Sequence, residues 1–266
     1  MAGGNKYIYL FDVDGTLTEP RKPITKKHLK ALSKWLEFPS AKGRCYIITG
    51  SDRNKIKEQL PEKLLNKFAG QFLCLGNQYV ENEKIIYTNE FPNDESLIRD
   101  CQEFIRDSHF PERYGNHVEK RVGMINISTC GRNIPADKRY TYAFFDKMEN
   151  EREEFVRRMK NKYKDQYDFS IGGEISIDIS VKGKDKSQVL SYLAEHKQVD
   201  LDKVIFFGDK CNDGGNDKPL ADAVNDVNGT VFPVMNHLQT YEIIDTFSAT
   251  ERFVLQVSNA MKMFMG

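Results

Sequence analysis

Three times in this chain a short run of β-branched and aromatic residues stops at a cluster of carboxylates, hydroxyls and glycine. Tyr7 to Phe11 ends at Asp12-Val13-Asp14-Gly15-Thr16, Cys45 to Thr49 at Gly50-Ser51-Asp52, and Val204 to Phe207 at Gly208-Asp209-Lys210. Runs this apolar read as strands buried on both faces, the habit of parallel sheets covered by helices. Helical spacing fills the intervals. Thr25 can cap a helix through Leu36, with Leu29, Leu32 and Leu36 at helical spacing, and Asp185 can cap another carrying Val189, Leu190, Leu193 and Ala194. The alternation predicts an α/β fold, a parallel, doubly wound sheet whose loops converge near Asp12. Ligands of open α/β sheets bind at the carboxyl ends of the strands. Phe72 to Leu75, before Gly76-Asn77, and Thr230 to Val234 extend the sheet, and Glu251 to Phe264 fits an amphipathic helix.

Between these stretches the pattern changes. A hairpin-like Tyr79 to Tyr87 is followed by a helix over about Asp94 to Arg106 and by strands His117 to Arg121 and Met124 to Ser128. Two helices fall within about Pro135 to Lys164, and a second hairpin, Tyr167 to Ile171 and Glu174 to Val181, turns at Gly172-Gly173. This predicts a core domain of residues 1–80 and 184–266 interrupted by an antiparallel α+β cap of residues 81–183. In the last cap strand Ile175, Ile177, Ile179 and Val181 share one face, and Glu174, Ser176, Asp178 and Ser180 the other. One face is core and the opposite one polar.

The 266 residues suffice for one large or two modest domains, and 39 basic against 39 acidic side chains leave no net field for nucleic acid or an anionic membrane. Phosphate binding must therefore be local. Cys45, Cys74, Cys101, Cys130 and Cys211 are odd in number and widely spaced, which argues against a disulfide framework or a zinc site and fits a reducing cytoplasm. No apolar run is long enough to span a bilayer, and no signal-peptide core precedes the first strand. The dense mixed charge of Lys147 to Lys164 reads as a solvated helix face.

Asp12 and Asp14, two residues apart at a strand end, point the same way, and two like charges that close call for a cation. Oxygen ligands with no neighbouring His or Cys suit Mg²⁺. The alternative is a strand-to-turn Asp beside an Asx-turn. Asp209 ends a second strand at the same edge and is read as a further ligand. Asp217, after Gly214-Gly215-Asn216, is equally a ligand or a helix N-cap. Lys186 could approach Asp12 and balance phosphoryl charge, although a lone lysine at a helix start is ordinarily solvated. The hydroxyls and N–H groups of Gly50-Ser51-Asp52 could hold a phosphoryl oxygen.

Asp12-Val13-Asp14-Gly15-Thr16 resembles the signature of the haloacid dehalogenase (HAD) superfamily of phosphohydrolases and phosphomutases. That resemblance implies Asp12 as a nucleophile that becomes phosphorylated and Asp14 as general acid and base. Five separated stretches, Phe11 to Arg21, Arg121 to Asn126, Gly131-Arg132, Ser170 to Asp178 and Phe206 to Asp217, are similar to the eukaryotic phosphomannomutase family, in its order. The narrower resemblance implies substrate contacts at Arg21, Arg121, Arg132, Arg139, Ser176 and Asp178, with Lys186 and Thr49 or Ser51 joining Asp12 and Asp14. It implies Mg²⁺ at Asp12, Asp14 and Asp209, a hexose 1,6-bisphosphate activator, and a homodimer formed through the cap. The implied reaction interconverts mannose 6-phosphate and mannose 1-phosphate. Alternatives on the same fold are a sugar-phosphate phosphatase and a catalytically silent phosphate-binding protein. Departures from the family pattern lie at Gly76-Asn77-Gln78, Val122, Thr49 and the loop Ala221 to Asp226.

Overall fold

The structure, a computed structural model, describes residues 7–265, with side chains to 253 and at 256. The chain divides into two compact units, Met1–Tyr87 with Asp185–Gly266, and Thr88–Lys184. The first unit opens with β1 (Ile8–Phe11), α1 (Lys26–Trp35), β2 (Cys45–Ile48), α2 (Arg53–Gln59), α3 (Glu62–Leu65), β3 (Gly70–Leu73), β4 (Gln78–Glu81) and β5 (Lys84–Thr88). The second unit holds α4 (Glu95–Asp107), β6 (Val118–Arg121), β7 (Met124–Ile127), α5 (Ala136–Glu149), α6 (Glu151–Lys162), β8 (Tyr167–Gly172) and β9 (Ser176–Val181). The first unit resumes with α7 (Gln188–Lys197), β10 (Val204–Gly208), α8 (Lys218–Asp226), β11 (Thr230–Pro233) and α9 (His237–Met265).

The first unit's sheet runs in the order β11-β10-β1-β2-β3-β4-β5. Every pairing from β11 to β3 is parallel, and β4 turns back antiparallel on β3. Strands β1, β2, β3 and β10 are buried along their whole lengths, as their lack of alternation requires. One face packs Leu10, Ile48, Phe72 and Phe206 against Val189 and Leu193 of α7 and Val224 of α8. The other is aromatic: Phe11 stacks on Phe207 at 4.7 Å, Phe207 on Phe232 at 4.8 Å, and Trp35 of α1 meets Phe11 edge-on. Thr25 and Asp52 cap α1 and α2 by accepting backbone N–H groups of the first turn.

Three details differ from the sequence reading. The antiparallel edge carries the first sheet through β5, so residues 81–87 belong to the core unit rather than to the insertion. The third strand runs from Gly70 to Leu73 instead of Phe72 to Leu75. Cys74, Leu75 and Gly76 take φ of 52°, 62° and 89° because Cys74 N–H and Leu75 N–H donate to the carbonyls of Ser51 and Thr49. That loop strap ends the strand two residues before its apolar run ends. Asp185 accepts from the backbone N–H and hydroxyl of Ser187 in a turn ahead of α7, so Lys186 sits in that turn and not in the helix.

The second unit is a sheet in the order β6-β7-β9-β8, antiparallel throughout. One face buries Ile125, Ile127, Ile177, Ile179 and Phe169 against Leu97 and Cys101 of α4 and Phe155 and Met159 of α6. Asp94 caps α4 through Leu97 N–H. Glu151 leads α6, and its neighbour Arg152 is buried in an ion pair with Asp146 while donating to the carbonyls of Gly173 and Ser176. That guanidinium ties the helices to the β8–β9 turn. All five cysteines are unbridged thiols, and no described helix is long and apolar enough to cross a membrane.

Candidate active site

Asp12 follows β1, Asp209 follows β10, and Asp217 precedes α8. Each offers a carboxylate oxygen within 4.8 Å of the others. The parallel pairing of β1 with β10 brings two of them together, since the register Phe11 to Phe207 leaves Asp12 and Asp209 at neighbouring strand ends. Lys186, fully buried, places its ammonium 2.5 Å from Asp12 Oδ1 and 2.6 Å from Asp217 Oδ1. The other oxygen of Asp217 accepts from Lys210 N–H at 3.0 Å. Asp217 is therefore satisfied at both oxygens and serves Lys186.

Three carboxylates against one ammonium leave the cluster short of positive charge. Burial raises the Asp12 carboxyl, Lys186 opposes that rise and Asp217 adds to it, and the group is pushed up to about 7. Burial and then Asp217 raise Asp209 also. Burial alone would lower Lys186, but Asp12 and Asp217 outweigh it and hold the ammonium charged. Asp209 Oδ1 is buried without a hydrogen-bond partner. Gly15, at φ +84°, is what lets Asp209 lie there, because a Cβ would come 2.2 Å from its Oδ2.

Asp14 stands apart from this group. Its Oδ1 accepts from Arg21 N–H at 2.6 Å and from the amide of Gln59 at 2.8 Å. The sequence places Asp14 among the expected cation ligands; the three carboxylates that approach within 4.8 Å of one another are those of Asp12, Asp209 and Asp217. Arg21 meets Asp14 with its backbone, held at φ +61°, a left-handed conformation unusual for arginine. Thr49 Oγ1 accepts from Ser51 N–H at 3.1 Å, so the two candidate hydroxyls belong to one turn after β2. Gln59, 4 % exposed at the end of α2, was not singled out from the sequence. A glutamine within Lys-Glu-Gln-Leu carries no signal of its own, since its task depends on a loop 45 residues away.

In the second unit the polar sheet face gathers Arg121, Arg132, Ser176 and Asp178. Cross-strand register sets Glu119 opposite Asn126 and Asn126 opposite Asp178. Asn126 donates to Asp178 Oδ1 at 2.5 Å, and its own Oδ1 is buried and unpartnered. Arg121 donates to Glu119 through Nε at 3.1 Å and also through Nη2, and its Nη1 is 4.0 Å from Asp178. Arg132 reaches the same Glu119 oxygen through Nε at 3.3 Å and donates from Nη1 to Ser176 Oγ at 3.4 Å. Burial lowers Arg132, and the charges of Arg121 and Arg139 lower it further. Arg139 on α5 is thus felt at the same cluster. A Cβ at Gly172 would come 2.7 Å from Asp178 Oδ2, so this glycine makes room for the carboxylate.

Residues 34–245 match the model of the eukaryotic phosphomannomutase family. The chain is 37 % identical over 258 residues to a phosphomannomutase of Encephalitozoon cuniculi, covering 92 % of this chain and 94 % of that one. It is 35 % identical over 231 residues to a phosphomannomutase of Dendrobium officinale, covering 84 % and 88 %. Among solved structures, a haloacid dehalogenase-like hydrolase from Bacteroides thetaiotaomicron superposes with a TM-score of 0.58 at 15 % identity, over 91 % of this chain and 99 % of that one. That likeness concerns the fold, a HAD-like core with a separate antiparallel cap. The match of the family model over most of the length, together with these relatives, shows that the chain belongs to the eukaryotic phosphomannomutase family.

Proposed function

We propose that this protein interconverts mannose 6-phosphate and mannose 1-phosphate through a phosphorylated Asp12 and a hexose bisphosphate, and so supplies mannose 1-phosphate for GDP-mannose synthesis. The observation that carries the reading beyond family membership is the arginine cluster of the cap, where Arg121 and Arg132 converge and Arg139 adds its charge. Guanidinium binds phosphate bidentately and stays charged, which suits a site that must accept either end of a sugar bisphosphate. Asp178 and Ser176 stand beside the arginines as partners for sugar hydroxyls.

The donor set of the core fits Mg²⁺. Asp209 Oδ1 lacks a partner, Lys186 occupies only Oδ1 of Asp12, and all donors are oxygens. Asp12 and Asp209 would hold the ion, which when bound would offset phosphoryl charge. Asp14 is assigned to proton transfer, because Arg21 N–H and Gln59 both fix its Oδ1.

In the cycle an Asp12 oxygen attacks phosphorus of the bisphosphate, the bond from phosphorus to the sugar oxygen breaks, and Asp14 delivers its proton to that oxygen. In the return step a sugar hydroxyl gives its proton to Asp14 as it attacks phospho-Asp12. Lys186 keeps Asp12 oriented and balances the charge that accumulates there. Ser51, with Thr49, is assigned to the phosphoryl oxygens. Hydrolysis by water competes at phospho-Asp12, so exclusion of water decides whether the chemistry is isomerisation or phosphatase action.

Two further assignments belong to this reading. A homodimer through the cap is supported by Tyr140, Phe144 and Met148, which are 73, 69 and 67 % exposed along one line of α5. A cytoplasmic setting is supported by the five unbridged thiols. The experiment that tests the activity is a coupled assay of mannose 1-phosphate and glucose 1-phosphate conversion, with and without a hexose 1,6-bisphosphate and Mg²⁺. Asp12→Asn should abolish isomerisation and phosphatase activity alike. Near-normal turnover by that variant would remove the covalent mechanism.

A further inference from the structure

One carboxylate in the arginine cluster has no part in the reading above. Glu119 lies on β6, opposite Asn126, and a single oxygen of it, Oε2, lies against Nε and Nη2 of Arg121 and Nε of Arg132. Arg132 is therefore held at Nε, the nitrogen nearest the chain, and Arg121 along its Nε–Nη2 edge. Arg132 has a second tether, from Nη1 to Ser176, and Ser176 is itself fixed by donating to Gly172 O at 2.7 Å. Of the terminal nitrogens, Nη2 of Arg132 and Nη1 of Arg121, the latter 4.0 Å from Asp178, are the atoms best placed to meet an anion. Two cations brought together with nothing between them would repel, and Arg132 registers that repulsion from Arg121. Glu119 offsets it, meeting Arg132 at Nε and Arg121 at Nε and one terminal nitrogen, Nη2.

We propose that Glu119 is a positioning residue of the distal phosphate site: by gripping Arg121 and Arg132 side-on, it orients both forks for one phosphate and makes their pairing tolerable before that phosphate arrives. The proposal rests on the reading of these arginines as substrate contacts. A carboxylate so near an anion site has an opposite possible effect, that of a built-in competitor whose removal tightens phosphate binding. Geometry favours positioning, because a competitor would straddle the two terminal nitrogens of an arginine, whereas Glu119 approaches both arginines on the Nε side and takes Nη2 of Arg121 from there. Guanidiniums that lose their anchor must be ordered again at each binding event, which weakens affinity without touching the reacting atoms.

The test is the dissociation constant of mannose 6-phosphate, measured calorimetrically, together with KM and kcat for mannose 1-phosphate, on Glu119→Gln, Arg132→Ala and the double variant. Glu119→Gln should weaken binding and raise KM about tenfold while kcat changes less than about threefold. In the Arg132→Ala background the Glu119→Gln effect should shrink to less than half on a logarithmic scale, since Glu119 acts partly through Arg132. Unchanged or tightened binding by Glu119→Gln overturns the proposal, as does an effect of the same size in both backgrounds. If the unaltered protein isomerises mannose phosphates and Glu119→Gln behaves like it, only the positioning role is lost. If the unaltered protein neither binds nor converts them, the substrate reading falls and takes this role with it.

Discussion

In the proposed cycle Asp12 must be both a buried nucleophile and an anion, and its surroundings divide over the second demand. Burial pushes its carboxyl up to about 7 from 3.8, with Lys186 resisting and Asp217 assisting. Without a divalent cation, the folded protein then keeps a proton between pH about 4 and about 7 that the unfolded chain has already released. Stability from this group is thus fully present below about pH 4 and is lost as pH rises through about 7. Mg²⁺ must displace that proton, so its binding is favoured where the carboxyl is already ionised. The expected outcome is a larger rise in thermal midpoint on replacing EDTA with Mg²⁺ at pH 8 than at pH 5. Equal rises at the two pH values would show that no carboxyl of this cluster titrates in that window. Asp12 and Asp209 were visible in the sequence because each directly ends an apolar strand. Lys186 was expected among the catalytic residues, but its burial was not legible, since it comes from a turn that Asp185 closes before α7 begins. Gln59 and the pairing of Asp217 with Lys186 were not visible, because each depends on loops meeting across the sheet edge.

At the scale of elements, strands announced themselves by composition and helices by spacing, while the ends of both were set by tertiary bonds. The shift of β3 to Gly70–Leu73 is one example. On α5, Tyr140, Phe144 and Met148 have the helical spacing of a buried stripe but face solvent. The buried side of the same helix carries Tyr142, which hydrogen-bonds Glu151, and Asp146, which pairs with Arg152. Tyr142 and Phe145 also pack that side against Phe110, so the helix has a buried apolar side and, in addition, an exposed apolar line. The second, exposed line is explained if it is covered by a second copy of the chain. Phe144→Glu should then shift the protein from dimer to monomer in sedimentation velocity, since it sets a charge at the centre of the line with little effect on a side chain that is already exposed. A protein that is monomeric before the change, or dimeric after it, refutes the assignment of α5 to the dimer.

At the scale of the whole molecule, Asp12 and the cap arginines are on different units, and the chain leaves the core after β5 to build the second unit before returning at Asp185. A phosphatase needs only the core chemistry and a loosely fitting cap. A mutase must hold the distal phosphate through two successive encounters with Asp12, so it depends far more on the cap arginines. Arg132→Ala separates the two demands. A charge-assisted contact to phosphate is worth about 1.5–3 kcal/mol, so its loss should lower mutase efficiency about tenfold to a hundredfold. Hydrolysis should fall less, because a weakly held intermediate leaves phospho-Asp12 open to water for longer. The ratio of free phosphate to mannose 6-phosphate formed from mannose 1-phosphate and activator should therefore rise. Arg132→Lys should recover only part of the loss, since an ammonium keeps the charge but has neither the Nε that meets Glu119 nor a planar fork. If Arg132→Ala leaves both the efficiency and the product ratio where they were, Arg132 is a structural partner of Glu119 and the distal phosphate is bound elsewhere.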